Sequence, residues 1–490
     1  MIGLQQSKGF KEIVFGKAAA ENEKTPRFKK LLLQGFLDAY DYTNQLLNGE
    51  KFLVLGLKGS GKSAFGARLE LLSAERPNLI VKNYYISEKF PHQMFSDLME
   101  SQEPKIIKFQ YNWEYLILLV LLESFAEDDS IEYKDLYTYK ELIGTLKALG
   151  LIPSNSFADL IIKIKGETFK ANLSKVLDND AKESKTKLEY IFNLLREVCY
   201  NISVKKKHLL IIDGIDDILT KQIRQKNIIS ALIETADRMN RHFLDKEIDS
   251  KILIMCRTDL FKTLPGSNLN KIKLDSGIML NWYDEGALLD SSNLVRLINL
   301  RAEVALGYKV DVFEEFLPRT ILRGNRTMKT LLDYTRYRPR DFIQLFNSIQ
   351  ANTTSTKPTK EEIWSGIKQY SINYFMDEIK NDLDGFLNDD EREKAMKLLA
   401  MMNKSKFSIE DIEKKKTQDS RFRSLDLVKV LQELFDCGAI SNYWVDDSGR
   451  EINTTKYRNP TAPFDPSKNI RIHWGLWKAL NITDVHDESD

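Results

Sequence analysis

Gly56-Leu57-Lys58-Gly59-Ser60-Gly61-Lys62-Ser63 is the stretch on which the reading of this chain turns. An apolar run, Phe52 to Leu55, precedes it, and Phe65, Leu69 and Leu72 follow on one side of a helical pattern. Strand, glycine-rich loop and helix in that order, with the spacing G-x-x-x-x-G-K-S, make a phosphate-binding P-loop. The glycines let successive backbone N–H groups turn inward around phosphate oxygens. The N-terminus of the following helix adds positive potential. Lys62 is expected to reach the β- and γ-phosphates of ATP and Ser63 to hold Mg²⁺, with Gly56, Lys58, Gly59, Ser60, Gly61 and Ala64 completing the cradle.

Such a loop needs an acidic partner to manage the metal and, for hydrolysis, to orient water. The best candidate is Leu209-Leu210-Ile211-Ile212-Asp213-Gly214-Ile215-Asp216-Asp217. An unbroken apolar strand fits the middle of a parallel sheet. Asp213, at its carboxyl end, is expected beside Ser63 as the second metal ligand, because ligands sit at strand C-termini in such sheets. A further buried strand, Ile252 to Cys256, ends at Arg257. Arg338-Pro339-Arg340-Asp341 opens a helix that continues through Phe342, Leu345 and Phe346.

Outward from these landmarks the fold class is α/β: a parallel-sheet P-loop core with a helical lid and a C-terminal winged helix. Phe28 to Leu47 reads as an amphipathic helix closed by Asn48-Gly49. Asn78 to Ile86 reads as the second strand, and Ile278 to Trp282 as a later one. The longest apolar run, Tyr115 to Leu122, is far shorter than the ~20 residues of a membrane helix and reads as a buried one. Residues of about 126–186 read as a helical insertion, and Asn352 to Lys360 as a loop. Near the end, Ala395, Leu398, Leu399 and Met402 mark one helix; Ser408 with Asp411 caps a second; Leu427, Val430, Leu431 and Leu434 mark a third, closed by Gly438. Ile440 to Val445, a turn at Asp447-Ser448-Gly449, and Ile470 to His473 supply the wing.

Composition limits the alternatives. With a net charge of +1 there is no global bias towards nucleic acid or a membrane surface. Cys199, Cys256 and Cys437 are too far apart for a metal or disulfide pattern, which fits a reducing, cytoplasmic setting. Met1 to Lys11 has no apolar signal core.

The position after Asp213 is Gly214, where ring-forming AAA+ motors carry a catalytic Glu, and the acids come later, at Asp216 and Asp217. In this the chain resembles the NACHT and wider STAND class of P-loop ATPases, which are nucleotide-operated signalling switches. It is also similar to a bacterial, origin-recognition-like P-loop ATPase family with an opening like Phe15-Gly16-Lys17, relatives of which occur in anti-phage defence loci. The resemblance implies that Asp216 and Asp217 serve hydrolysis. It implies that Arg257 is a sensor-1 arginine on the γ-phosphate, and that Arg340, or else Arg338, is a sensor-2 contact. It implies four parts: residues 1–50 as an N-terminal segment contacting nucleotide, 51–285 as the ATPase domain, 286–380 as the lid and 381–490 as the winged helix. The separation of Ser63 from Asp213 departs from the pattern and is accounted for by the insertion.

Two functions compete. One is an ATP-controlled switch that hydrolyses ATP and acts with a separate protein partner or effector; a homo-oligomer is left open, with Arg196, Arg238 or Arg241 as arginines that could act across subunits. The other is a DNA-binding ATPase of the origin-recognition or repair type. The outward positions of the third winged-helix helix, Asp426, Lys429, Gln432, Glu433 and Asp436, sum to −2, which suits base reading poorly. Lys414-Lys415-Lys416, Arg421 and Arg423 allow weak, non-specific DNA contact.

Overall fold

Three almost wholly buried strands, Leu53–Gly56, Lys207–Asp213 and Ser250–Arg257, form the middle of one five-stranded parallel sheet, where both faces are covered and apolar runs are favoured, and its two edge strands carry polar or exposed residues. The computed structural model describes residues 8–86, 89–98, 105–176, 184–215, 223–284, 286, 288–322 and 324–482. Contacts divide the chain into two units, one of Tyr40–Leu57 with Lys62–Leu280, the other of Met1–Ala39, Lys58–Gly61 and Asn281–Asp490.

In the first unit the strands are β1 (Leu53–Gly56), β2 (Leu79–Tyr85), β3 (Glu132–Tyr133), β4 (Ile202–Ser203), β5 (Lys207–Asp213), β6 (Ser250–Arg257) and β7 (Gly277–Met279). The sheet order is β2-β5-β6-β1-β7, all neighbours parallel. The P-loop strand β1 is thus separated from the Asp213 strand β5 by β6. The helix Lys105–Ala126 carries the apolar run Tyr115 to Leu122, every residue of it at most 1% exposed. No helix among the described residues is long and apolar enough to cross a membrane. The insertion contains the helices Leu136–Ala148, Phe157–Lys165 and Glu167–Val176 and the start of Ser184–Cys199. Its helices leave and return at adjacent points, because β3 near its start and β4 beyond its end pair antiparallel.

The second unit holds the helices Asn293–Leu306, Thr327–Asp333, Pro339–Asn352 and Lys360–Tyr370, then one π-helical turn, Ser371–Phe375, running into Met376–Asp382. Three more helices follow, Asp389–Met402, Ile409–Gln418 and Leu427–Asp436, with strands β8 (Lys406–Phe407), β9 (Ile440–Val445), β10 (Glu451–Thr454) and β11 (Asn469–Ile472). The strands form an antiparallel sheet of order β10-β9-β11-β8, the winged-helix arrangement. Ser408 and Asp411 make the expected capping box. Gly438 ends the third helix at φ +81°, against Tyr457 and Arg336, where any side chain would meet a ring carbon at 2.9 Å.

Two expectations need correction. Phe28 to Leu47 is not one helix but two, Lys29–Gln34 and Tyr42–Leu47. The apolar spacing runs through Phe36 and Leu37, but Gly35 ends the first helix and Asp41, at φ +54°, starts the second. The two pieces belong to different units, so packing rather than periodicity sets the break. The last strand of the parallel sheet is Gly277–Met279, earlier and shorter than Ile278 to Trp282, and Trp282 serves elsewhere.

Candidate functional site

The loop after β1 is shaped by its backbone. Gly59 and Gly61 lie at φ +78° and +103°, a region that costs an L-residue about 1–2 kcal/mol. A Cβ on Gly61 would meet nothing within 4 Å, so the turn faces open space. The helix Lys62–Ser73 starts at once, placing Ser63 and Ala64 in its first turn. Lys62 is 6% exposed, and its Nζ donates to the carbonyls of Gly56 (3.1 Å) and Leu57 (3.4 Å). Ser60 is 3% exposed, and its hydroxyl has no hydrogen-bond partner among the described residues. A buried, unsatisfied hydroxyl costs about 1–3 kcal/mol. Together with an inward-turning backbone it fits a loop built for an oxygen-rich ligand.

Asp213 is the last residue of β5, and its Oδ1 accepts from the N–H of Gly214 at 2.7 Å. Gly214 sits at φ +77°, where a Cβ would lie 2.6 Å from the carbonyl oxygen of Ile86 and as close to the ring of Tyr85. A Glu at this position would clash with the Ile86 carbonyl and force the backbone to shift. Asp216 and Asp217 lie outside the described residues.

Arg257 ends β6 directly opposite Gly56, the first residue of the P-loop motif, in the β1–β6 register. It is buried, and its guanidinium forks onto the carboxylate of Asp259: Nε donates to Oδ1 at 3.0 Å and Nη2 to Oδ2. Nothing in the sequence near Arg257 marked Asp259 as its partner. Of the arginines considered for action across subunits, Arg196 and Arg238 both pair with the buried Glu114, at 2.7 and 2.9 Å, and Arg241 pairs with Asp237.

In the other unit, Lys58 to Gly61 are held by the segment around Arg340. The backbone N–H of Arg340 donates to the carbonyl of Gly59 at 3.3 Å, and the indole N–H of Trp282 donates to that of Ser60 at 2.8 Å. Pro339 at the first helical position presets the turn that brings Arg340 there. The two arginines of the motif and Arg336, two residues before it, have separate partners. Arg336 is sealed between Asp341 (3.1 Å) and Asp382 (2.6 Å). Arg338 donates to Asp382 at 2.8 Å. Arg340, the least buried of the three, lies 3.8 Å from Glu378. Asp341, fully buried, would be pushed up by desolvation, but the guanidiniums of Arg336 and Arg338 and the Tyr374 hydroxyl hold its carboxyl below the usual range. Asp382 and Glu378 had no signal in the sequence, because they meet the motif only in the folded chain.

The N-terminal segment is fixed onto the same unit. Arg301 donates to the Phe15 carbonyl at 2.6 Å and pairs with Glu23, and Asn347 donates to the Gly16 carbonyl at 2.9 Å. Gly16, at φ +125°, leaves no room for a side chain, since a Cβ would overlap Arg301.

Elsewhere, Ser124, His208 and Asp128 are joined by hydrogen bonds of 2.9 and 3.1 Å, the order of a hydrolase triad. All three are buried, at most 4% exposed, under the ring of Phe125, so no substrate carbonyl reaches the hydroxyl. They are a satisfied polar group in the core.

Residues 292–377 match a family described as the FunZ-associated C-terminal helical domain. Over 96% of its length the chain is 22% identical to a protein of Escherichia coli (strain K12) named "Putative transposon gamma-delta 80.3 kDa protein", 67% of which is covered. Among solved structures it is similar to the ORC1 protein of Aeropyrum pernix in complex with DNA, at 12% identity and a TM-score of 0.36, covering 94% of this chain and 96% of that one.

Proposed function

We propose that the chain is a Mg²⁺-dependent ATPase of the STAND/AAA+ kind, a nucleotide-operated switch that acts with a separate protein partner. One observation supports this above others: a buried lysine and a buried, unsatisfied serine in a loop of two left-handed glycines, at the carboxyl end of a strand inside a parallel sheet. Phosphoryl transfer asks a protein mainly for positioning and charge stabilisation. In this reading the backbone of Gly56 to Gly61 and the amine of Lys62 bind the phosphates, with Lys58 and Ala64 at the margins. Ser63 and Asp213 would hold Mg²⁺, which offsets phosphate charge. Asp216 or Asp217 orients the attacking water. Arg257 and Arg340 bind the γ-phosphate, and Phe15-Gly16-Lys17 contributes to the nucleotide contact. The residues fit the group, since hydroxyl, carboxylate and phosphate oxygens are the donors Mg²⁺ prefers. A finer division into ATPase, lid and winged-helix parts, and a setting in anti-phage defence, rest on the family resemblance alone.

Lys62→Ala is expected to lower ATP affinity about 10- to 100-fold in calorimetry, the worth of charge-assisted hydrogen bonds, with an unchanged circular dichroism spectrum. Asp213→Ala should lose Mg²⁺-dependent turnover. Full ATP affinity in Lys62→Ala would overturn the reading.

The run Lys414-Lys415-Lys416, with Lys414 exposed, favours a second reading as a DNA-binding ATPase. Against base recognition, Lys429 on the next helix is taken by Glu391 at 2.7 Å, and Gln432 by Asp436 at 2.8 Å. DNA binding by this route would be sequence-independent and fall steeply with salt. Tight binding to one sequence at near-physiological salt would reverse the order of the two readings.

A further inference from the structure

Asp382 ends the helix Met376–Asp382 and is 6% exposed. Its Oδ2 accepts from Arg336 Nη1 at 2.6 Å and from Arg338 Nη1 at 2.8 Å, and its Oδ1 lies 3.7 Å from Lys58 Nζ. Lys58 belongs to the P-loop motif. Arg336 is shared further: it binds Asp341, donates to the Cys437 carbonyl at 3.2 Å, and lies over the ring of Phe375 in the π-helical turn. One carboxylate therefore joins a P-loop side chain, the arginine motif and the turn at Cys437-Gly438 that closes the third winged-helix helix.

Charge and satisfaction both point towards an anion. Lys58, Arg336 and Arg338 outnumber Asp341 and Asp382 by one, and buried ionic groups are costly unless compensated. Arg338 is 5% exposed, yet its Nε has no hydrogen-bond partner among the described residues. The surplus sits at Lys58 and Arg338, next to Gly59, whose Cβ position is 3.9 Å from Arg338 Cδ.

We infer that Asp382 is a positioning residue of the nucleotide site, an internal carboxylate that holds Lys58 and Arg338 until a polyphosphate competes for them. This rests on the reading of Gly56 to Ser63 as that site. Bound phosphate draws the two cations from Asp382. Asp382 then bears more strongly on Arg336, and Arg336 carries the change to the Cys437 carbonyl. The coupling is reciprocal, so whatever strains the Cys437-Gly438 turn alters nucleotide affinity by the same factor.

The test pairs Asp382→Asn with hydrogen exchange on the unaltered chain, using ADP and a non-hydrolysable ATP analogue as probes. Asp382→Asn should lower thermal stability yet tighten nucleotide binding by about 5-fold. Opposite signs in the two readouts are what a merely structural residue would not give. At least half the gain should disappear when Lys58→Gln is added. In the unaltered chain, nucleotide should protect residues 56–64 and speed exchange at 376–387 and 434–440. Should Asp382→Asn fail to fold, Lys58→Gln alone decides: at saturating nucleotide it should keep protection at 56–64 and lose most of the change at 376–387. Weaker or unchanged binding in Asp382→Asn overturns the inference, as does protection at 56–64 with no change at 376–387. No protection at 56–64 in any chain would instead overturn the nucleotide reading itself.

Discussion

The loop Gly56 to Ser63 and the segment Arg336 to Asp341 both present cations for the proposed phosphate site, and they are built on different principles. The loop is a backbone device. Its shape follows from two glycines at positive φ, and its lysine is steadied by carbonyls five and six residues away. The arginine segment is a side-chain device. Its backbone takes one left-handed residue, Tyr337 at φ +53°, before a helix start at Pro339, but each arginine is assigned its task by a carboxylate: Asp341 within the segment, Asp382 or Glu378 some forty residues on. The contrast teaches that adjacent like charges need not share a function. Arg336 is buried among carboxylates and holds the fold together. Arg340 is less buried, 3.8 Å from Glu378, and in the proposed reading it is the arginine that meets the ligand.

Breaking the side-chain device should have the larger effect on stability. Arg336→Met leaves Asp341 and Asp382 buried without their shared partner, a loss of about 3–5 kcal/mol in chemical denaturation. Arg340→Gln should stay within about 0.5 kcal/mol of the parent chain while weakening ATP more than ADP. Equal destabilisation by the two would erase the distinction. Arg257→Ala comes next. It should remove about 1.5–3 kcal/mol of preference for ATP over ADP with ADP binding kept, and Arg257→Lys should rescue poorly because a point charge lacks the fork. An ATP preference that survives in Arg257→Ala would leave the γ-phosphate contact to Arg340.

The network also sets a pH dependence. His473, which stacks on Phe375, is pushed down to about 3 by burial and by the charge of Arg336. Its folded value is below its unfolded value of about 6.5, so the unfolded chain takes up the proton first and stability falls as pH drops through that window. At pH 5 the loss from this group is about 2 kcal/mol relative to pH 7. His473→Gln should flatten that part of the acid profile; an unchanged slope between pH 7 and 5 would show that burial of His473 does not set it, since the lowered carboxyl of Asp341 costs stability only at more acid pH. The backbone device is tested at Gly59. Gly59→Ala should cost about 1–2 kcal/mol for its positive φ, and the added methyl 3.3 Å from Arg340 Cβ should displace that arginine. A variant as stable as the parent would mean that the loop relaxes to an ordinary turn in solution.

What could be read from the sequence follows the same division. The P-loop turn, the buried strands ending at Asp213 and Arg257, the capping box at Ser408 and the helix end at Gly438 are local matters, settled by neighbouring residues. The partners of the arginines are not, since Asp382 is an unremarkable acid at the end of a polar helix until the chain folds. The break in Phe28 to Leu47 was hidden for a related reason: Phe36 and Leu37 keep the helical spacing although their backbone has left the helix. Asp259 was equally silent, because an acid two residues after an arginine is common and only its geometry shows the fork.

The position of β1 in the sheet has a consequence for synthesis. Its neighbours, β6 and β7, are both encoded about 200 residues later, which at ~5–20 residues per second is a delay of roughly 10–40 s on the ribosome. The insertion lies inside that interval, and its helices adjoin one another in the chain. It can therefore collapse early, while Leu53 to Gly56 waits with both strand edges unpaired. A chaperone holding the nascent chain would find its target there. Stalling translation between the end of β5 and the start of β6 should yield chains that bind such a chaperone and release it once Arg257 has cleared the exit tunnel.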